Sequence, residues 1–188
     1  MHRCTETYPE PPDEPHRPPA DVWVDERVVA RGSGIEGTGL FAVGDIAAGE
    51  IVLRLGGRLV DSPTLDGMIA ATIGDPDAVY IDTVTIDEDA HLVMPPSTLA
   101  HYVNHSCDPN LWHVGPYEIA ARGPIAAGEE LTIDYGTNSG ADGFEMECRC
   151  GAPRCRGTIT SDDWRIRTLQ VVYGEHWTPA LRHRIAKL

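Results

Sequence analysis

From residue 22 onward, apolar residues come in short runs, at 28–30, 39–43, 51–55 and 58–60, each broken by glycine or by polar residues. Runs this short, rich in Val, Ile and Leu and bounded by turn formers, predict strands joined by tight turns. One local pattern occurs twice, as Asp45-Ile-Ala-Ala-Gly-Glu50 and as Pro124-Ile-Ala-Ala-Gly-Glu129, and a β-prone run follows each copy. Each copy predicts a turn entering a strand, with glycine supplying the permissive backbone. The pattern is too short to mark a duplicated unit. Residues 62–96 are the least regular, with a helix expected over 64–73 and strand-like runs at 79–81 and 84–86. After Gly157, Thr160 and Asp163 predict a capping box for a helix over 164–173. Thr178-Pro179 predicts the N-cap and first residue of another helix ending near Leu188.

Composition fits this picture of a mostly β, β-rich α+β chain: 19 glycines and 15 prolines among 188 residues favour turns over a helical bundle. The length suits one domain with appendages. Residues 1–20 carry six prolines among charged side chains, predicting a disordered arm with too little apolar area to offset chain ordering. A formal charge of -14 disfavours binding to phosphate backbones, so nucleic acid is not the expected partner. It suits either plain solubility or a basic protein or peptide. No apolar run resembles a signal peptide or a membrane span, so a cytoplasmic protein without membrane contact is expected, or a nuclear one in a eukaryotic host. Oligomeric state is not readable.

In a reducing compartment, five cysteines read better as metal ligands or buried thiols than as disulfides. Cys148, Cys150 and Cys155 place three soft ligands within eight positions of a Gly-, Pro- and Arg-containing loop. Tetrahedral zinc needs a fourth, distant ligand, with Cys107 the natural candidate and a histidine the other source. Cys4 lies in the arm and reads as a spare thiol. An all-cysteine set points to a closed, structural site, since catalytic zinc keeps a position open.

Four motifs now stand in order: Gly37-Thr-Gly39-Leu-Phe-Ala42, Asn104-His-Ser-Cys-Asp-Pro-Asn110, Glu129-Glu-Leu-Thr-Ile-Asp-Tyr135-Gly136 and Cys148-x-Cys150-x4-Cys155. In this order they resemble the SET-domain lysine methyltransferases with a post-SET zinc loop, over roughly residues 22–157. The resemblance implies a SET fold of short strands and turns with a knot-like core where the Asn104 and Tyr135 segments cross. It implies a SET domain over 21–140 with a variable insert at 62–96, a zinc loop at 141–158 and a helical tail at 159–188. The implied reaction moves a methyl group from S-adenosylmethionine to a lysine amine of a protein substrate. An alternative is a non-catalytic SET-like module that binds a peptide or partner around a structural zinc.

By the same resemblance Tyr135 is the catalytic tyrosine. Gly37, Thr38, Gly39, Leu40, Asn104, His105 and Tyr135 contact the cofactor, and Tyr80, Tyr102, Ile133 and Phe144 border the lysine channel. Cys107, Cys148, Cys150 and Cys155 hold structural Zn2+. Trp164 reads as a core residue more than as a cover for the site. Two departures stand out. His101-Tyr102 replaces a frequent Arg-Phe pair, which removes that arginine's contact. Ile133 stands where many members carry Phe or Tyr, so an aliphatic side chain should leave room for a second and third methyl group.

Overall fold

The structure is a computed structural model that describes residues 17–138 and 143–188. Most of the expected arm, and Cys4 with it, falls outside those residues. Thirteen short strands carry the fold. The first seven are β1 (Trp23–Val24), β2 (Val28–Gly32), β3 (Thr38–Ala42), β4 (Ile51–Arg54), β5 (Arg58–Val60), β6 (Thr83–Asp87) and β7 (Ala90–Val93). The rest are β8 (Asn104–His105), β9 (Leu111–His113), β10 (Glu118–Ala121), β11 (Glu130–Ile133), β12 (Glu145–Glu147) and β13 (Thr158–Thr160). Three α-helices accompany them: α1 (Ser62–Thr72), α2 (Arg167–Tyr173) and α3 (Pro179–Ala186). Strand exceeds helix, 29% against 21%, as the apolar runs predict.

Two four-stranded sheets, ordered β1-β4-β10-β9 and β2-β3-β11-β8, contribute most of the core, with a three-stranded sheet β5-β7-β6 and the hairpin β12-β13 beside them. Residues of the first two sheets, including Leu40, Val52, Leu53, Leu111, Ile119 and Leu131, belong to one continuous apolar cluster, with adjacent Val52 and Leu53 buried on both faces of β4. The repeated turn pattern has a structural reason. The two copies face each other, with Ile46 and Ile125 exchanging both backbone hydrogen bonds at 2.9 Å. Gly49 N–H donates to Ala121 O and Gly128 N–H to Ala42 O, each at 2.8 Å. Both glycines are left-handed, φ +82° and +96°, a conformation a side chain would strain.

Two expectations need correction. Residues 79–81 form no strand: Val79 and Tyr80 are exposed and irregular, because the sheet begins only at Thr83. The helix expected over 164–173 is split into a 3-10 turn (Asp163–Arg165) and α2, with Ile166 extended between them. Asp163 does reach back, its Oδ1 accepting from Thr160 N–H at 3.2 Å and from Thr160 Oγ1 at 2.9 Å. The N-terminal cap of α3 is Thr178, followed by Pro179, as the sequence predicts. The tail packs its own small core of Trp164, Tyr173, Trp177 and Leu181, which gives Trp164 the packing role.

Candidate active site

β8 and β11 lie side by side and parallel, Asn104 opposite Thr132 and His105 opposite Ile133. This pairing brings Tyr135, just past the end of β11, against residues 103–105. Its hydroxyl donates to Val103 O at 2.8 Å, and its N–H donates to His105 Nδ1 at 3.1 Å. Burial, helped by the charges of Asp82 and Tyr80, pushes the phenol up to about 12, so it stays protonated near neutrality. With its single proton directed at Val103, the oxygen offers lone pairs to whatever occupies the space beside it.

That space is a cavity of about 300 Å³. Leu53, Leu55, Val84, Met94, Val103 and Ile119 give it apolar walls, and Tyr80, Ile133, Tyr135 and Phe144 also line it. Tyr102 lies outside this lining and is 41% exposed. Asp82, His101 and Asn138 also line it and were missed from sequence. His101 was visible there only as a departure from a familiar motif, and Asp82 sits in the irregular insert.

Asn104, Gly37, Thr38, Gly39 and Leu40 gather away from that lining. Asn104 Nδ2 faces three oxygens, Glu130 Oε1 at 2.9 Å, Glu36 O at 3.1 Å and Thr38 O at 3.2 Å. An amide nitrogen carries two hydrogens, so this spot has acceptor capacity to spare and fits a cationic donor. Gly37 is left-handed at φ +46° with open space where a Cβ would stand. A Cβ at Gly39 would instead collide with the Glu130 carboxylate, and Leu40 is fully buried in the core.

His105 Nε2 and the sulfurs of Cys107, Cys148 and Cys150 lie within 4.8 Å of one another. Cys155, more exposed, sits at the edge, its Sγ 3.9 Å from Cys148 O. Backbone amides point at three of the sulfurs: Cys107 N–H at Cys150, Arg156 N–H at Cys107 and Gly157 N–H at Cys155, at 3.5, 3.3 and 3.4 Å. Such donors suit thiolates, so the donor set fits a soft divalent metal. Burial pushes Cys107 up to about 11, whereas at Cys150 burial is outweighed by amide hydrogen bonds that bring the thiol to about 7. His105 fits a ligand role poorly. Its Nδ1 accepts the Tyr135 N–H, so the neutral ring carries its proton on Nε2, 3.4 Å from Cys107 Sγ. Burial lowers this histidine to about 4, which keeps the ring neutral.

Beneath Tyr135, the fully buried Asp134 accepts from Arg156 Nη1 and Nη2 at 2.7 and 2.6 Å, from Tyr173 Oη at 2.8 Å and from Gly136 N–H at 2.9 Å. Arg156 Nε also lies 2.9 Å from Asp163 Oδ2, an ion pair without hydrogen-bond alignment.

A strand-built core with a parallel contact between two distant short strands, an adjoining mainly apolar cavity and a thiol cluster beside the parallel pair define a particular class of domain. Residues 37–136 match the SET domain, and the chain belongs to the SET-domain family. It is 32% identical over 139 residues to Histone-lysine N-methyltransferase ATX2 of Arabidopsis thaliana, covering 70% of this chain and 13% of that protein. It is 33% identical over 135 residues to human Histone-lysine N-methyltransferase 2B, covering 66% of this chain and 5% of that one. To the Saccharomyces cerevisiae protein named "Histone-lysine N-methyltransferase, H3 lysine-4 specific" it is 32% identical, covering 68% of this chain and 12% of that one. The chain thus spans a small fraction of these relatives. The crystal structure of the methyltransferase domain of human Histone-lysine N-methyltransferase SETMAR shares the fold, with a TM-score of 0.52 at 22% identity over 68% of this chain and 55% of that one. Among the described residues no helix is long and apolar enough to cross a membrane.

Proposed function

We propose that this protein transfers methyl groups from S-adenosylmethionine to the side-chain amine of a lysine in a basic protein, with histone tails the first substrates to try. The carrying observation is the Tyr135 hydroxyl, held by Val103 O on the wall of a partly enclosed, mainly apolar cavity. A lysine amine is a nucleophile only when neutral, and its usual pKa near 10.4 leaves it protonated at pH 7. The walls disfavour the ammonium form, and the Tyr135 oxygen accepts from an amine N–H, aiming the nitrogen lone pair along one direction. S-adenosylmethionine, when bound, supplies the electrophilic methyl group. Asn104, with the Glu36 and Thr38 carbonyls and the Glu130 carboxylate, supports its placement beside residues 37–40. Ile133, aliphatic and lining the cavity, leaves room for amines that already carry methyl groups.

Cys107, Cys148, Cys150 and Cys155 would hold structural zinc, with His105 Nε2–H donating to Cys107 rather than binding metal. Such a quartet joins residues 141–158 to the Asn104 segment. The negative charge of the chain supports a basic partner, and a nuclear or cytoplasmic setting agrees with both the relatives and the composition.

The test is turnover of labelled S-adenosylmethionine on core histones by the zinc-loaded full chain. Tyr135→Phe lowers kcat by about 100-fold or more while cofactor binding persists. Full turnover by a folded Tyr135→Phe would reject the assignment. A chain that binds no S-adenosylmethionine would favour a peptide-binding module instead.

A further inference from the structure

Asp82 is the sole carboxylate among the described residues that line the cavity, and that lining contains no Lys or Arg. Its neighbour is His101, whose Nδ1 lies 3.1 Å from Asp82 Oδ2, while Nε2 lies 3.0 Å from Pro95 O. A neutral imidazole has one N–H. If Nε2 donates to Pro95 O, the Nδ1 lone pair faces a carboxylate oxygen, so that a proton taken up between them is held by both. The pair is therefore built to hold one proton, either as imidazolium and carboxylate or as imidazole and carboxylic acid. The same cavity holds the Tyr135 hydroxyl, whose protonated state the Asp82 charge reinforces.

Resting on the methyl-transfer reading above, we propose that Asp82, backed by His101, receives the ammonium group of the incoming lysine and takes its proton before methyl transfer. One N–H bond of the ammonium breaks, and its electron pair stays on nitrogen as the attacking lone pair. The proton bonds to Asp82 Oδ of the empty pair, neutral imidazole beside carboxylate, is shared with His101 Nδ1, and passes from the partly exposed carboxylate to solvent water, which empties the pair again. Tyr135 cannot serve as this acceptor near neutrality, because its hydroxyl is already protonated and directed at Val103. Burial raises Asp82 above the ordinary carboxylate range, against the opposing pull of His101, and so makes it a stronger base than an exposed aspartate. The groups facing it are His101 from the 3-10 turn at Leu99–Tyr102, Tyr80 from its own segment, Tyr135 from beyond β11, and the Thr83 N–H.

Two probes test this. In the zinc-loaded full chain saturated with S-adenosylhomocysteine, n-butylammonium chloride mimics the end of a lysine side chain. Asp82→Asn weakens its binding by about tenfold or more and leaves S-adenosylhomocysteine affinity unchanged. On a peptide of the histone H3 amino terminus, wild-type kcat/KM rises with pH as the pair empties. Asp82→Asn lowers it and flattens that limb, and His101→Gln, which keeps the carboxylate, displaces the limb along the pH axis. Butylammonium affinity in Asp82→Asn within about twofold of wild type, or an unchanged pH limb in both variants, overturns the assignment of Asp82 while methyl transfer by wild type stands. A wild-type chain that binds no S-adenosylmethionine overturns the methyl-transfer reading and this proposal with it.

Discussion

Buried with neither ring nitrogen hydrogen-bonded among the described residues, His113 must remain neutral in the folded protein, and burial lowers it to about 4 from the ordinary 6.5. The unfolded chain takes up a proton there that the folded chain refuses. Stability present above about pH 6.5 is therefore lost as pH falls towards 4, by on the order of 3 kcal/mol from this residue. Urea midpoints measured at pH 7 and pH 5 should differ, and His113→Leu should narrow the difference. Tyr135, Asn104 and the cysteines were legible because they sit in contiguous motifs whose spacing has a chemical reason. His113 and Asp82 were not. A lone histidine in an apolar strand and one aspartate in an irregular stretch reveal their roles only through what packs around them.

The start of α3 at Thr178-Pro179 and the two Ile-Ala-Ala-Gly turns were readable, whereas the Thr160 and Asp163 pair marked a 3-10 turn in place of a helix start. What the helical tail does was not readable. Asp134, from sequence only a neighbour of Tyr135, is the point where Arg156 and Tyr173 of the C-terminal segments meet the chain just past β11. Removing a partner of a buried charge costs more than the net worth of the pair, because the remaining charge stays desolvated. Arg156→Ala should destabilise by about 3–5 kcal/mol. Tyr173→Phe should cost about 1–3 kcal/mol, and both are measurable by urea unfolding followed through tryptophan fluorescence. Near the same tail, Trp112 stacks on His176 at 3.4 Å, and His176 Nδ1 donates to His113 O at 2.7 Å.

At the scale of the whole molecule, the loop of Cys148, Cys150 and Cys155 meets the Asn104 segment, Cys107 and Cys148 lying 3.8 Å apart in space and 41 residues apart in the chain. X-ray absorption at the zinc edge should show four sulfur neighbours at about 2.3 Å. A nitrogen in that shell would restore His105 as a ligand. Chelation should lower both Tm and turnover, since metal binding energy is folding energy here. The SET fold was readable in the order of the motifs; the depth of its long-range pairing was not, because pairing partners leave no mark on local periodicity. β3 pairs with β11, Leu40 opposite Leu131 and Phe41 opposite Glu130, about ninety residues along the chain. During synthesis at about 5–20 residues per second, the β3 edge waits roughly 5–20 s for its partner. Through that interval the nascent chain shows the ribosome exit an unpaired apolar strand, a natural target for chaperones, and slowing translation would lengthen its exposure.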